Sequence, residues 1–273
     1  MSFQKADCNE EKFRMTEQDP TLSSSSVAAL ARGLELLRCF SAKEPSLSNS
    51  ELAAYTGLPR STVSRLTKTL VELGYLRQDA RRRRYSVGAS VLALGYSALS
   101  NLRVTEVARP HMQALADSTG ALISLATRDR LSMLYLEACS SDATMTLKMG
   151  RGVRMPIMST SIGRAFLAAL PSQERDYLIA SVQHKTDPAT AAAQLTALDR
   201  ETRRYRDKGY CVSLGEWNSD VNAAATPIVW KGGTDLMVLS ISGPSFMITE
   251  SLLMERLIPR LMDLAAHIAR QLS

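Results

Sequence analysis

SNSELAAYTGLPRSTVSRLTKTLVELGYLRQDARRRRYSV, residues 48–87, is the stretch from which the rest of the chain can be read. Ser48 can cap a helix through its hydroxyl while Glu51, three residues on, reaches back to the cap, and Leu52, Ala53 and Ala54 carry the helix forward. Gly57 should stop it. Leu58-Pro59 then makes a tight joint, because proline is pre-set for a first helical turn and disfavours helix in the residue before it. A second helix is predicted over 59–73, with Val63, Leu66, Leu70 and Leu73 as a core stripe and Ser61, Ser64, Arg65 and Lys68 as a polar one. Gly74 ends it. Residues 75–77 and 84–87 read as short strands around a turn holding Asp79 and a run of four arginines. Helix, turn, helix and basic hairpin, in that order, is a winged helix-turn-helix.

The polar stripe is small and basic. Short hydroxyls let a helix lie close to a nucleic-acid backbone, and arginine reaches phosphates or the O6/N7 edge of guanine. The predicted contacts to double-stranded DNA are Arg60, Ser61, Thr62, Ser64, Arg65 and Lys68 on the helix and Arg81, Arg82, Arg83 and Arg84 in the wing. Every amphipathic helix has a polar face, and a charge run is usually only solvated. The succession of capping box, glycine stop, Leu-Pro joint, hydroxyl-rich helix and basic turn favours DNA binding. Charge is distributed to match. The chain carries +6; residues 1–26 contribute −2, 27–100 contribute +6 and 101–273 contribute +2, so the basic excess lies where counterion release would use it.

A length of 273 residues suits two domains, each able to bury a core, and 45% hydrophobic residues indicates a globular chain. Cys8, Cys39, Cys139 and Cys211 are scattered, with no CxxC or paired-histidine spacing, so neither a zinc site nor another cofactor is expected. Reduced, structural thiols fit a cytoplasmic protein. No apolar run approaches membrane-spanning length, and the acidic start of the chain lacks the form of a secretion signal, so no membrane partner is expected. The sequence has no GxSxG, P-loop or GxGxxG, which leaves an enzyme remote. A ligand-free DNA-packing protein is a third possibility, but it would leave a large C-terminal domain without a purpose.

Residues 1–26 read as a disordered tail ending in a serine run. A helix is predicted over 27–40, with Leu30, Leu34, Leu37 and Phe40 inward, completing a DNA-binding domain over 27–88. Residues 89–101 are apolar and helical in character and a second helical stretch, interrupted by Pro110, runs to about 119; together, over 89–119, they read as a linker helix with more apolar surface than a tether needs, and a dimer contact is favoured over packing within its own chain. From 120 to 273 strands and helices alternate. Strands are predicted over 121–127 and 131–138 around the turn Arg128-Asp129-Arg130, then 144–149, 210–214, 221–229 and 235–242. Helices are predicted over 160–170, 173–182, 191–208 and 249–272, the last kinked at Pro259. The fold class is α+β.

RGLELLRCF before the helix-turn-helix, then MGRGVRMPIMSTSIGRAFLAALP, GYCVSLGEWNSDVNAAATPI and LSISGP, resembles the IclR family of bacterial transcription regulators over nearly the whole chain. The resemblance implies an N-terminal winged helix-turn-helix, a dimer-building linker helix and a C-terminal GAF-like domain that binds a small organic-acid effector. It implies homodimers or homotetramers on a palindromic operator. Carried onto this sequence, the effector-binding residues are Ser161, Ile162 and Gly163; Ser213, Val221 and Ala223; and Ser240 and Ser242, with Met149 and Met155 as apolar walls. Arg164 stands where the family usually has lysine, and Glu216 matches a family glutamate. Ile162, Val221, Ala223 and the two methionines make this pocket comparatively apolar, which tilts the expectation toward an aromatic or branched acid.

Overall fold

The computed structural model describes residues 27–41, 44–100, 103–141, 149–184, 186–229 and 236–272. These divide into two compact units between Asn101 and Leu102. The expected tail over 1–26, most of the strand expected over 144–149, and the Lys231-Gly232-Gly233-Thr234 connection lie outside the described residues.

The first unit runs α1 (Ala28–Arg38), β1 (Ser46–Ser48), α2 (Asn49–Thr56), α3 (Arg60–Glu72), β2 (Leu76–Asp79), β3 (Arg84–Val87) and α4 (Ala89–Ser100). The capping box forms: Ser48 Oγ accepts the Glu51 N–H at 3.3 Å, and Glu51 Oε2 accepts the Ser48 N–H at 2.7 Å. Gly57 ends α2 at φ 70°, a left-handed conformation that costs glycine little. Leu36, Phe40, Leu47, Leu52, Val63 and Leu76 make the core beneath α3. β3 is the centre of an antiparallel sheet in the order β1-β3-β2. The sequence did not announce β1, because Ser-Leu-Ser offers one apolar side chain, too few to show alternation.

Three residues expected on inner faces lie outside. Leu30 and Leu34, read as inward, are 63% and 51% exposed; the buried stripe of α1 runs through Gly33 and Leu36 to Phe40, which lies inward as expected. Leu73 is also exposed: as the residue capping α3 it keeps the helical register, and that register carries it off the buried line through Val63 and Thr67. The place on the inner face goes to Thr67, whose Oγ1 donates to the Val63 carbonyl at 2.9 Å, so its burial leaves no hydroxyl unpaired.

The second unit runs α5 (Arg103–Thr119), β4 (Leu122–Asp129), β5 (Ser132–Cys139), β6 (Arg154–Pro156), α6 (Ser161–Ala169), α7 (Ser172–Gln183), α8 (Pro188–Lys208), β7 (Cys211–Leu214), β8 (Val221–Ile228), β9 (Met237–Pro244), α9 (Glu250–Leu252), a π-helical turn (Leu253–Leu257) and α10 (Ile258–Leu272). The strands form one antiparallel sheet, β6-β5-β4-β9-β8-β7. Ile123, Leu125, Leu239 and Ile241 face α5 and α10, while Leu122, Ala225 and Val238 face α6 on the other side. This is the GAF-like α+β arrangement. Among the described residues no helix is long and apolar enough to cross a membrane.

The two helical stretches read over 89–119 are two separate helices, α4 and α5. α4 belongs to the first unit and buries none of its described side chains, whereas α5 gives Val104, Ala108, Met112, Leu115 and Ala116 to the core of the second. Pro110 does not interrupt α5; it lies at an exposed position, where water can serve the carbonyl that its missing N–H leaves unpaired. Near Pro259 the irregularity comes earlier than a simple kink, as the π turn over Leu253–Leu257, where a widened ladder absorbs the missing donor.

Candidate functional site

On the first unit α3 presents Arg60, Ser61, Ser64, Arg65 and Lys68 to solvent, with Thr62 half-buried beside them. The face is open because the opposite one, through Val63 and Thr67, is buried completely. The wing turn is shaped by Asp79, whose Oδ1 accepts the N–H groups of Arg81 at 3.0 Å and Arg82 at 3.1 Å. Arg83 takes a left-handed φ of 50° and completes the reversal. Arg81, Arg82 and Arg83 are exposed. Arg84 is turned elsewhere: its Nη2 donates to the Ser46 carbonyl at 2.6 Å and lies 3.1 Å from Glu51 Oε2, and its Nε meets Ser46 Oγ at 3.1 Å. Strand alternation sends it onto β1 and the capping box, where it fastens the wing to the rest of the unit.

In the second unit, nine of the ten residues expected around a ligand line one interior cavity. Met149 and Met155 form one wall. Ser161 and Ile162 come from the first turn of α6, Ser213 from β7, Val221 and Ala223 from β8, and Ser240 and Ser242 from β9. Tyr135, Thr160 and Trp217 complete the lining. The free volume is about 30 Å³, room for roughly one water molecule. Gly163 is absent from the wall. A Cβ there would come within 2.1 Å of the Ile157 carbonyl oxygen, so glycine at this position serves the close packing of α6.

The hydroxyls are arranged by the sheet. β9 alternation puts Ser240 and Ser242 on one face, and Ser240 Oγ lies 2.7 Å from the buried Ser124 Oγ on β4. Ser213 Oγ donates to the Ser159 carbonyl at 3.4 Å. Thr160 caps α6, its Oγ1 accepting the Gly163 N–H at 3.2 Å. The N–H groups of Ser161 and Ile162 lie outside the intrahelical ladder, so the positive end of α6 is turned to the cavity.

No thiol in the described residues is poised to act as a nucleophile. Burial, helped by neighbouring carboxylates, pushes Cys39 up to about 12 and Cys139 up to about 11, and it raises Cys211 as well.

A basic helix-turn-helix unit joined to a GAF-like α+β unit defines the class of DNA-binding transcription regulators. Residues 29–80 match the IclR helix-turn-helix domain, and residues 96–270 match the bacterial transcriptional regulator IclR C-terminal domain. The chain belongs to the IclR family, whose members are transcription regulators and not enzymes. It is 37% identical to the HTH-type transcriptional regulator TsaQ1/TsaQ2 of Comamonas testosteroni, over 90% of this chain and 88% of that one. It is 27% identical to the Pca regulon regulatory protein of Pseudomonas putida, over 90% and 84%. The crystal structure of an IclR family transcriptional regulator from Brucella abortus superposes with a TM-score of 0.81 at 42% identity, covering 98% of this chain and 97% of that one.

Proposed function

We propose that this regulator binds a palindromic operator as a dimer or tetramer and is gated by a small organic acid, aromatic or branched, held in the cavity of the second unit. The observation that carries the reading is the chemistry of the cavity wall. The hydroxyls of Ser213, Ser240 and Ser242 converge with the N-terminal turn of α6, which suits a carboxylate, while Ile162, Val221 and the methionines suit an apolar body. Thioether side chains re-pack readily, so these walls can yield to a ligand. An IclR homologue from Microbacterium hydrocarbonoxydans, 22% identical, was solved with 4-hydroxybenzoate, which makes that compound a natural first probe.

Two copies of α3 enter successive major grooves, with Arg81, Arg82 and Arg83 tracking phosphate or the minor groove. The pairing surface is apolar: Leu92 and Tyr96 on α4 are 75% and 72% exposed, a composition that solvent alone does not favour. An effector acts through its differential affinity for two arrangements of the pair. A thermal-shift screen of aromatic, keto- and hydroxy-acids tests the site, because a ligand at 100 times its dissociation constant adds about 2.7 kcal/mol. The hit should be lost in Ser242→Ala. This variant is cleaner than Ser240→Ala, which also strands the buried Ser124 hydroxyl. A hit that persists in both variants places the ligand elsewhere.

A further inference from the structure

The loop between β7 and β8 carries Trp217, and the residue before it is clasped from two helices. Arg164 Nη1 on α6 lies 2.7 Å from Glu216 Oε2, and Arg200 Nη2 on α8 lies 2.5 Å from Glu216 Oε1. Arg164 is only 2% exposed and also donates from Nε to the Met158 carbonyl at 3.0 Å. Arg200 in turn meets the buried Glu201 at 2.9 Å, and Glu201 Oε2 accepts the Val212 N–H of β7 at 2.7 Å. The charged chain therefore joins α6 and β7, which both line the cavity, and α8 to a single loop carboxylate. Among the described residues on the cavity wall, Met149, Trp217 and Ala223 are the ones not buried, which puts them on the solvent side of the cavity. Trp217 is the largest of the three, and the cavity behind it holds little more than one water.

We propose that Glu216, clasped by Arg164 and Arg200, is the latch that positions Trp217 across the mouth of the cavity, and that releasing the clasp admits the effector. The inference rests on the cavity being the effector site. Its two halves differ physically. The Arg164 half is desolvated and resists salt, whereas Arg200 is half-exposed and its hold is screened, so opening starts on the α8 side.

Trp217 is its own reporter. The chain has two tryptophans, so in full-length Trp230→Phe protein Trp217 fluoresces alone. Acrylamide quenching is measured without ligand, well below the melting temperature, in that parent and after adding Glu216→Gln or Arg200→Gln. Quenching should rise severalfold in Glu216→Gln and less in Arg200→Gln, with far-UV circular dichroism unchanged in both. A role in overall stability alone would lower the melting temperature without moving quenching in the folded protein. Should Glu216→Gln fail to fold, the half-exposed Arg200 decides. Unchanged quenching in a folded Arg200→Gln protein, with the same result in Glu216→Gln where it folds, would mean that packing holds Trp217 and no latch exists. Because no ligand is present, this result and that of the acid screen stand or fall separately.

Discussion

Glu137 on β5 is 1% exposed and shares its carboxylate between Arg109 Nη1, at 2.9 Å, and Arg151, while its Oε1 takes the Ala138 N–H at 3.0 Å. Burial opposes its charge, but Arg151, the Ala138 N–H and Arg109 together outweigh that cost and hold the carboxyl below its ordinary 4.5. The sign follows from the depressed value. Stabilisation is complete above about pH 4.5 and is lost as pH falls through the lower folded value. Glu137→Gln should cost about 1–3 kcal/mol at neutral pH, since both arginines can still reach water, and should flatten melting temperature against pH below 4.5. An acid limb as steep as that of the parent would show that other groups control it. On the DNA face the arginines separate by role. Arg82→Ala should weaken all sequences alike and reduce the salt slope by about 1, whereas Arg65→Ala should cost about 1–3 kcal/mol and relax sequence preference. Fluorescence anisotropy on matched and scrambled duplexes, titrated with salt, separates the two. A salt slope untouched by Arg82→Ala would remove the wing from the interface.

α4 buries none of its described side chains and exposes Leu92, Leu94 and Tyr96. Leu92→Glu should shift the chain toward monomer in sedimentation and weaken operator binding far more than it lowers the melting temperature; an unchanged oligomer would move the pairing surface off α4. The same element shows how sequence and structure divide. Its apolar excess was legible as a surface wanting a partner, and so was the end of the stretch near Asn101; the packing of α5 into the second unit was not, because an apolar stripe suits a dimer contact as well as the chain's own core. Capping and glycine signals located α2 and α3 to within a residue or two, since Ser48, Glu51 and Gly57 act through neighbours in sequence. What failed was orientation. Leu30 and Leu34 satisfy the helical period as well as Leu36 and Phe40 do, and only the rest of the core chooses between the stripes. β6 and β1 span three residues each, too short to carry a pattern.

At the scale of the molecule, two compact units must be coupled for an acid to alter transcription. The cavity wall was foreshadowed by the family motifs around Ser161, Ser213 and Ser240, but Tyr135 and Trp217 were not. The bulge opposite Leu125/Ala126 disturbs alternation around Tyr135, and Trp217 reaches the wall only through the turn of its loop. The decisive measurement is operator affinity, by anisotropy at fixed salt, with and without the acid that emerges from the thermal screen, in the parent and in Ser242→Ala. A ligand-gated regulator shows a shift of tenfold or so, the approximate size of about 1.4 kcal/mol of coupling, and loses it in the variant. Equal affinity with and without a bound acid would contradict the coupling of cavity to operator and leave a DNA-binding protein whose cavity serves another purpose.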